Sequence, residues 1–501
     1  MISPPVHKFD RTGAIIGTIE TSSLPSGDFL TAAQAQLQEE RARLQTASSP
    51  VSLADVMEQV MRKSADVLPR IEREIYDLVG LTQEEAKRRF PNNKFAEIGF
   101  DPENRLGWTL PRLREILTNT AYLNPTLQAA ADLQDNYKYI IFSGMGGSGF
   151  SMQVVNSTFE SDRGPKMYSL QTTDAGVIKE IIDQIVTAEG GDVVTALQKI
   201  AFVSTTKSFT TAETLSHQKY IERLYAKFGV EPVDGQWTIY TDPTTDTGKL
   251  EKQAAARKLG YDIRYIQLNA GTDVGGRFTA PTTNVFLLPL ALRKSRQDVI
   301  RILERSGEMN DVADPREDIF GRLGVYLDYM DRQLGKDKVT MVVPHELRDL
   351  PAWAEQLFEE SNGKSGKGVS IVYGEQLTVN QLKTVDQSDR VFLRINMAGK
   401  ETNPEFFDKV KAAGHPVYDI DIKWIDDIGG VMLGFERAVA IYAYLQTINF
   451  TNQPGVDGYN HGTRKVLDAL KPGEKVKVTE MADSYFRSFK VYYATFIEAV
   501  I

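Results

Sequence analysis

The chain has 501 residues, of which 42% are apolar and 25% are charged, and its formal net charge is −9 at pH 7. A chain of this length can form several domains with sizeable cores. The acidic balance, without a lysine- or arginine-rich block, argues against nucleic-acid binding. The sequence contains no cysteine, which excludes disulfides and thiolate metal sites and fits a cytoplasmic protein.

Neither a secretory signal nor a membrane span is expected from the sequence. The segment from Met1 to Gly17 carries several charged side chains and no apolar core. The densest apolar run, from Val285 to Leu292, is about half as long as the ~18 residues that a membrane-spanning helix needs. We therefore expect no contact with a membrane.

Residues 1–134 are predicted to form a mainly helical N-terminal segment without a catalytic constellation. A capped helix start is indicated at 52–55, and Gly80 is a plausible stop. The segment Thr82-Gln-Glu-Glu85 has the capping-box pattern, and Pro111 fits the first turn of a further helix.

Strands alternate with amphipathic helices from Tyr137 onward, which predicts an α/β fold with two doubly wound parallel sheets. The expected domains are 135–306 and 337–428, joined by a helical connector at 307–336 and followed by a helical C-terminal segment at 429–501. The predicted strands are 139–142, 166–170, 199–204, 238–240 and 262–266 in the first sheet, and 339–343, 369–372, 390–395 and 416–420 in the second. Ligands in such sheets bind at the carboxyl ends of the strands.

A glycine-rich turn follows the first of these strands. The apolar run from Tyr139 to Phe142 stops in Gly144-Met-Gly-Gly-Ser-Gly149, and a helix is expected from Phe150 onward. Glycines let the backbone approach a ligand closely, and the free amides at a helix start favour an anion. The turn is therefore predicted to hold a negatively charged group.

A second strand ends in a hydroxyl-rich segment around Lys207. Six serine and threonine residues lie within positions 204–211, just before a helix expected near Ala212. Hydroxyls, a lysine and helix-start amides together suit a phosphate monoester. The alternative is an ordinary helix cap built from serine and threonine.

Two further segments each present one charged side chain. Arg277 follows two glycines and lies between apolar segments, so it is expected to be buried. A buried arginine needs an anionic partner, which can be a structural ion pair or a bound group whose negative charge it stabilises. Glu360 ends the predicted amphipathic helix from Trp353 and leads into a glycine-punctuated loop. Taken alone, a carboxylate in that position is typical of solvated surface.

Taken together and in this order, these segments resemble the phosphoglucose isomerase family. The matching segments are Gly144-Met-Gly-Gly-Ser-Gly149, Thr206-Lys-Ser-Phe-Thr-Thr-Ala-Glu-Thr214, Val274-Gly-Gly-Arg-Phe278, Glu360-Ser-Asn-Gly-Lys364 and Asn452-Gln-Pro-Gly-Val456. The resemblance covers roughly residues 135–470. The later part, including Ala413-Gly-His-Pro-Val417, is most similar to the isomerase half of fused transaldolase and phosphoglucose isomerase proteins.

The resemblance implies two sugar-isomerase (SIS) domains that interconvert glucose 6-phosphate and fructose 6-phosphate through a cis-enediol, without metal or organic cofactor. It implies Glu360 as the base and Arg277 as the group facing the reacting carbons. The implied sugar-phosphate contacts are Gly147, Ser148, Thr206, Lys207, Ser208, Thr211 and Gln453. A homodimer is also implied.

The chain departs from the family where the sugar ring is opened. The lysine that follows the last glutamine in the family is replaced by Asn460, and we predict that His461, or else Lys465, acts in its place. The family's ring-opening histidine has no counterpart either, because the segment from Tyr373 to Leu377 leads into no histidine. His217 and His415 are expected to have structural roles.

Two other classes of function remain open at this stage. The turn at 144–149 also fits the dinucleotide pattern Gly-x-Gly-x-x-Gly, with Asp174 at the spacing of a ribose-binding acid. The missing ring-opening groups leave room for a non-catalytic sugar-phosphate sensor or for an isomerase of another anionic sugar. The retained Glu360 argues against a sensor, which needs no base.

Overall fold

The structure of the protein is a computed structural model that describes residues 6–9, 15–19, 53–98, 105–160, 164–364, 366–375, 377–383 and 389–453. The chain divides into two compact units, one made of Met1–Ser49 with Asn460–Ile501 and the other of Pro50–Tyr459. In the first unit, strand β1 (Val6–Phe9) pairs antiparallel with β2 (Ile15–Ile19). All elements described below belong to the second unit.

The second unit begins with helices, as the sequence predicts. These are α1 (Leu53–Tyr76), α2 (Gln83–Arg89), α3 (Phe95–Ile98), α4 (Leu110–Thr118) and α5 (Asn124–Asn136). The capping box is present, because the Thr82 side chain accepts from the backbone of Glu85 while the Glu85 carboxylate accepts from that of Thr82. Pro111 lies in the first turn of α4, where its missing N–H is not needed.

The first sheet has five parallel strands in the order β4-β3-β5-β6-β7. Its strands are β3 (Tyr139–Gly144), β4 (Lys166–Leu170), β5 (Ile200–Thr205), β6 (Trp237–Thr241) and β7 (Tyr261–Tyr265). The helices are α6 (Gly147–Thr158), α7 (Ala175–Ala188), α8 (Val193–Gln198), α9 (Ala212–Phe228), α10 (Thr247–Lys258) and α11 (Asn284–Ala291). The predicted strands are confirmed, and the central β3 and β5 are buried along their whole length.

The second sheet has four parallel strands in the order β11-β10-β8-β9. Helices α12 (Arg296–Asn310) and α13 (Ile319–Leu334) lead into it. Its strands are β8 (Lys338–Val342), β9 (Ser370–Val372), β10 (Arg390–Met397) and β11 (Val417–Ile422), and its helices are α14 (Leu350–Asn362), α15 (Val379–Leu382) and α16 (Pro404–Ala412). The predicted α/β class with two doubly wound parallel sheets is therefore confirmed.

Helix α17 (Ile428–Gln446) runs through the core. It packs against α12, α13 and α14, and one hydrophobic cluster connects it with both sheets. The segment Ile425–Gln446 is long and apolar enough to cross a membrane, although the sequence analysis expected no membrane span. Because 94% of its most apolar window is buried inside the structure, it has the character of a core helix.

Candidate functional site

The glycine-rich turn is shaped by its contact with the segment that carries Arg277. Helix α6 begins at Gly147, so the glycines form its first turn and the start predicted at Phe150 was too late. Gly146 has φ +57° and ψ −133°, a conformation that side-chain-bearing residues rarely adopt. A Cβ atom at Gly147 would lie 2.3 Å from the carbonyl oxygen of Gly276 and 2.5 Å from Cα of Arg277. The space opened by these glycines is filled by protein.

Arg277 is buried, with 2% of its surface exposed, at the point where the matched segments meet. Its side chain donates to the Ser361 hydroxyl (2.7 Å), Glu360 Oε1 (2.9 Å), Gln453 Oε1 (3.1 Å) and the carbonyls of Phe450 (2.6 Å) and Asn452 (2.9 Å). These five hydrogen bonds equal the full donor capacity of a guanidinium. Burial lowers the pKa of Arg277, and the nearby Glu360 carboxylate opposes that shift. The anionic partner predicted for this arginine is therefore Glu360.

Glu360 lies in the last turn of α14, and both of its oxygens are held. Oε1 accepts from Arg277, and Oε2 accepts from Nε2 of Gln356 at 3.0 Å. The side chain is still 21% exposed, so the carboxylate is fixed but accessible. A general base needs this combination, because it must be oriented and must also reach its proton.

Gln356 is a site residue that the sequence analysis missed. It lies four residues before Glu360, the spacing at which side chains meet on one helix face, and that spacing could have identified it. A Cβ atom at Gly146 would lie 2.1 Å from its Nε2. Gln356 therefore connects the glycine-rich turn with the candidate base.

The hydroxyl-rich segment after β5 contacts the loop before Arg277. Lys207 Nζ donates to the carbonyl of Val274 at 2.5 Å and lies 3.6 Å from the Asp242 carboxylate, a partner that the sequence analysis also missed. Thr206 is buried, and its hydroxyl lies 3.4 Å from that of Thr211. Segment 206–211 is thereby held beside the Arg277 segment.

The start of α9 differs from an ordinary helix cap. Thr211 occupies the N-cap position, but its side chain makes no capping hydrogen bond. The neighbouring hydroxyls of Ser208 and Thr210 bond each other at 2.5 Å, and both side chains are partly exposed. An anion at this helix start would meet the backbone amides of the first turn together with hydroxyls that do not cap the helix.

The structure brings together most of the residues that the resemblance singled out. Gly147, Glu360 and Gln453 all contact Arg277, and Lys207 reaches the same segment through Val274. Ser148 is partly exposed next to Gly147 in the first turn of α6. His461, Asn460 and Lys465 lie outside the described residues, so the predicted role of His461 in ring opening stays a prediction.

Two of the remaining histidines have structural roles, as expected. His217 is fully buried, with Nδ1 2.9 Å from the Ser143 hydroxyl and Nε2 2.9 Å from the carbonyl of Thr172. Burial lowers its pKa to about 4, so the ring is neutral at pH 7. His415 is buried too, with Nε2 2.6 Å from the carbonyl of Leu382.

The geometry favours the sugar-phosphate interpretation over the dinucleotide one. Asp174 is exposed and caps its own helix, because its Oδ1 accepts from the backbone N–H of Gly176 at 2.8 Å. The close approach allowed by Gly146 and Gly147 is taken up by Gln356 and the Arg277 segment, where a dinucleotide would place its pyrophosphate. Among the residues that the structure describes, no group of three or more histidines and acids is placed to hold a metal ion.

Sequence comparisons find similar proteins over most of the chain, although no protein-family model matches it. The chain is 26% identical over 395 residues to the glucose-6-phosphate isomerase of Lactiplantibacillus plantarum, which covers 69% of this chain and 83% of that protein. It is 28% identical over 318 residues to the glucose-6-phosphate isomerase of Rubrobacter xylanophilus, with 60% and 66% covered.

Two solved structures share the overall fold. A hypothetical protein from Thermus thermophilus superposes with a TM-score of 0.60 at 21% identity, covering 80% of this chain and 98% of that one. A glucose-6-phosphate isomerase from Chlamydia trachomatis superposes with a TM-score of 0.59 at 14% identity, covering 93% and 99%. At these identities the likeness is one of fold.

Proposed function

We propose that this chain, a relative of the glucose-6-phosphate isomerases, is an aldose–ketose isomerase that interconverts glucose 6-phosphate and fructose 6-phosphate. The observation that carries the proposal is the convergence on Arg277 of a partly exposed carboxylate, Glu360, and an amide, Gln453. This cluster is connected through Val274 to the hydroxyl-rich segment at Lys207. Isomerisation of a sugar phosphate needs both a site that binds the phosphate and a base that transfers the proton.

The phosphate is proposed to bind at the start of α9. Thr206, Lys207, Ser208 and Thr211 supply hydroxyls and one positive charge there, and Gly147 and Ser148 are proposed as further contacts of the sugar phosphate. Charge-assisted hydrogen bonds to phosphate oxygens are short and strong. Binding energy gained at this remote group holds the reacting carbons next to Glu360.

The proposed reaction is a proton transfer by one base. Glu360 removes the proton from C2 of the open-chain aldose, and the electron pair of that C–H bond forms the C1–C2 double bond of a cis-enediol(ate). The same carboxyl group then returns the proton to C1, while a proton passes from the C2 hydroxyl to the oxygen on C1, so that the carbonyl group moves to C2. A single carboxylate can perform both steps when its two oxygens are oriented, as Arg277 and Gln356 orient those of Glu360.

Arg277 is proposed to stabilise the negative charge that develops on the enediolate oxygen. All five of its N–H groups donate hydrogen bonds within the protein. One of them must therefore exchange its protein acceptor for the substrate oxygen during the reaction. Proton uptake neutralises Glu360 and weakens its bond to Nη1. The same N–H can then turn to the enediolate while the other four bonds hold the guanidinium in place.

Ring opening is proposed to involve His461, or else Lys465, in the place of the family's lysine. A cytoplasmic location, a homodimer and independence of metal are parts of the same proposal. A coupled assay with glucose 6-phosphate and fructose 6-phosphate, run with and without chelator, tests it. We expect chelator-resistant turnover in both directions. Binding of sugar phosphate without any turnover would instead support the sensor, or an isomerase of another anionic sugar.

A further inference from the structure

A second carboxyl group lies next to the Arg277 segment and plays no part in the mechanism above. Glu436, in α17, has no exposed surface. Its Oε1 accepts from the backbone N–H of Ala280 at 3.2 Å, and its Oε2 has no hydrogen-bond partner among the described residues. A carboxyl group this deeply buried is unusual unless a cation or a set of donors faces it.

The charges near Glu436 are committed elsewhere. The adjacent Arg437 is bonded to Glu72 and Asp318, and Arg277 is bonded to Glu360. Burial raises the pKa of Glu436 well above its ordinary value, and only the backbone amides of Ala280 and Thr279 oppose the shift. No charged side chain in the described part of the chain contributes to that shift. Burial without a paired cation therefore disfavours the charged form of this carboxyl group.

The backbone that Glu436 holds comes directly after Arg277. Phe278 stacks on Trp108 with ring centroids 5.0 Å apart. The Thr279 hydroxyl lies 2.9 Å from that of Ser151 in α6. The backbone N–H of Ala280 then donates to Glu436. The three residues 278–280, which directly follow Arg277, therefore each contact a different part of the chain.

We propose that Glu436 is a positioning residue that fixes the backbone after Arg277 through its bond to Ala280 and so aligns the guanidinium with Glu360. The inference rests on the proposed isomerase function. The carboxyl oxygen accepts the N–H of Ala280, three residues after Arg277, so removal of this acceptor would release the backbone that carries the guanidinium.

Glutamine and alanine variants separate this role from simple packing. Glu436→Gln keeps an acceptor for Ala280, so its kcat should stay within about twofold of wild type. Glu436→Ala removes the acceptor, and its kcat should fall at least about tenfold with little change in KM, because the phosphate site is separate. An unchanged kcat in the alanine variant, or a glutamine variant as impaired as the alanine variant, would overturn the proposal.

Two measurements do not depend on activity and so separate failure of this inference from failure of the proposed function. The melting temperature of Glu436→Gln should rise relative to wild type as the pH increases above about 4.5, because burial raises the pKa of Glu436 and the unfolded wild type therefore releases its proton more readily than the folded one. The Nε–H resonance of Arg277, assigned with Arg277→Lys, should shift in Glu436→Ala and stay in place in Glu436→Gln. A pH-independent difference in melting temperature, or an unshifted resonance in the alanine variant, contradicts the inference even if no isomerase activity is found.

Discussion

The Arg277 guanidinium donates to Glu360 Oε1 at 2.9 Å across 83 positions of sequence. Arg277 follows the first sheet, whereas Glu360 lies in the last turn of α14, a helix of the second. The ion pair therefore connects segments that belong to the two sheets. It is only partly accessible, because Arg277 is 2% exposed and the Glu360 side chain 21%. A pair so placed can hold a base in one orientation and can also stabilise charge on a bound substrate.

Arg277→Lys should lower kcat by about 10²- to 10³-fold with a smaller effect on KM. Lysine keeps the positive charge but offers three donors in place of five, so it cannot hold Glu360, Ser361 and the carbonyls together. Steady-state kinetics measures the effect. Arg301→Lys is the control, because Arg301 is 53% exposed in a surface ion pair and its replacement should leave kcat unchanged. Equal kinetics for the two variants would remove Arg277 from the mechanism.

Gly147→Ala should displace the Arg277 segment. The new methyl group would lie 2.3 Å from the Gly276 carbonyl oxygen, so the two segments would have to move apart, at a cost of about 1–3 kcal/mol in unfolding free energy. We expect kcat to fall at least about tenfold. Gly276→Ala is the matched control, because a Cβ atom there meets nothing within 4 Å. Denaturant unfolding and kinetics of the two variants should differ clearly, and similar behaviour would contradict this description of the turn.

Lys207→Ala should raise KM for the sugar phosphate by about 10- to 100-fold, which corresponds to the loss of one charge-assisted bond of about 1.5–3 kcal/mol. The kcat should change less, because the lysine contacts the Val274 carbonyl and Asp242, whereas the proposed base is held by other groups. Lys219→Ala, on the exposed side of α9, provides the control. If KM stays constant in Lys207→Ala, the phosphate site lies elsewhere.

His217 should make the protein less stable in acid. Its pKa in the folded protein is about 4, below the ordinary value of 6.5, because the ring is buried. Its contribution is therefore present in full above pH 6.5 and is lost as the pH falls toward 4, by about 3 kcal/mol in total. His217→Gln has no proton to bind, so its unfolding free energy relative to wild type should rise by about that amount from pH 7 to pH 4. A constant difference would show that His217 is not held neutral.

The strands and most of the site could be predicted because their signals are local. Apolar runs such as Tyr139–Phe142 end in turn residues, and the parallel order then brings the carboxyl ends of neighbouring strands together. The family resemblance read from five short segments is confirmed by the curated relatives. Each segment alone was ambiguous, since its chemistry depends on which other segments it meets.

Other features depended on packing that no single segment shows. The glycine-rich turn was predicted to hold an anion, and that stays a prediction, whereas the contact of Gly147 with the Arg277 backbone was not predicted. The helix start at Gly147 was missed because glycines have a low intrinsic helix propensity, and tertiary contact overrides it here. The roles of Asp242 and Glu436 follow from contacts with residues distant in sequence.

The most direct test of the central claim is the turnover of Glu360→Gln with glucose 6-phosphate, measured together with its affinity for that sugar. The amide keeps the shape of the carboxylate but cannot take up the proton, so turnover should fall at least about 10³-fold while binding persists. Glu359→Gln is the matched control, because the adjacent carboxylate accepts from the backbone of Ile371 in the second sheet and should be dispensable for catalysis. Full activity of Glu360→Gln would contradict the assignment of Glu360 as the base.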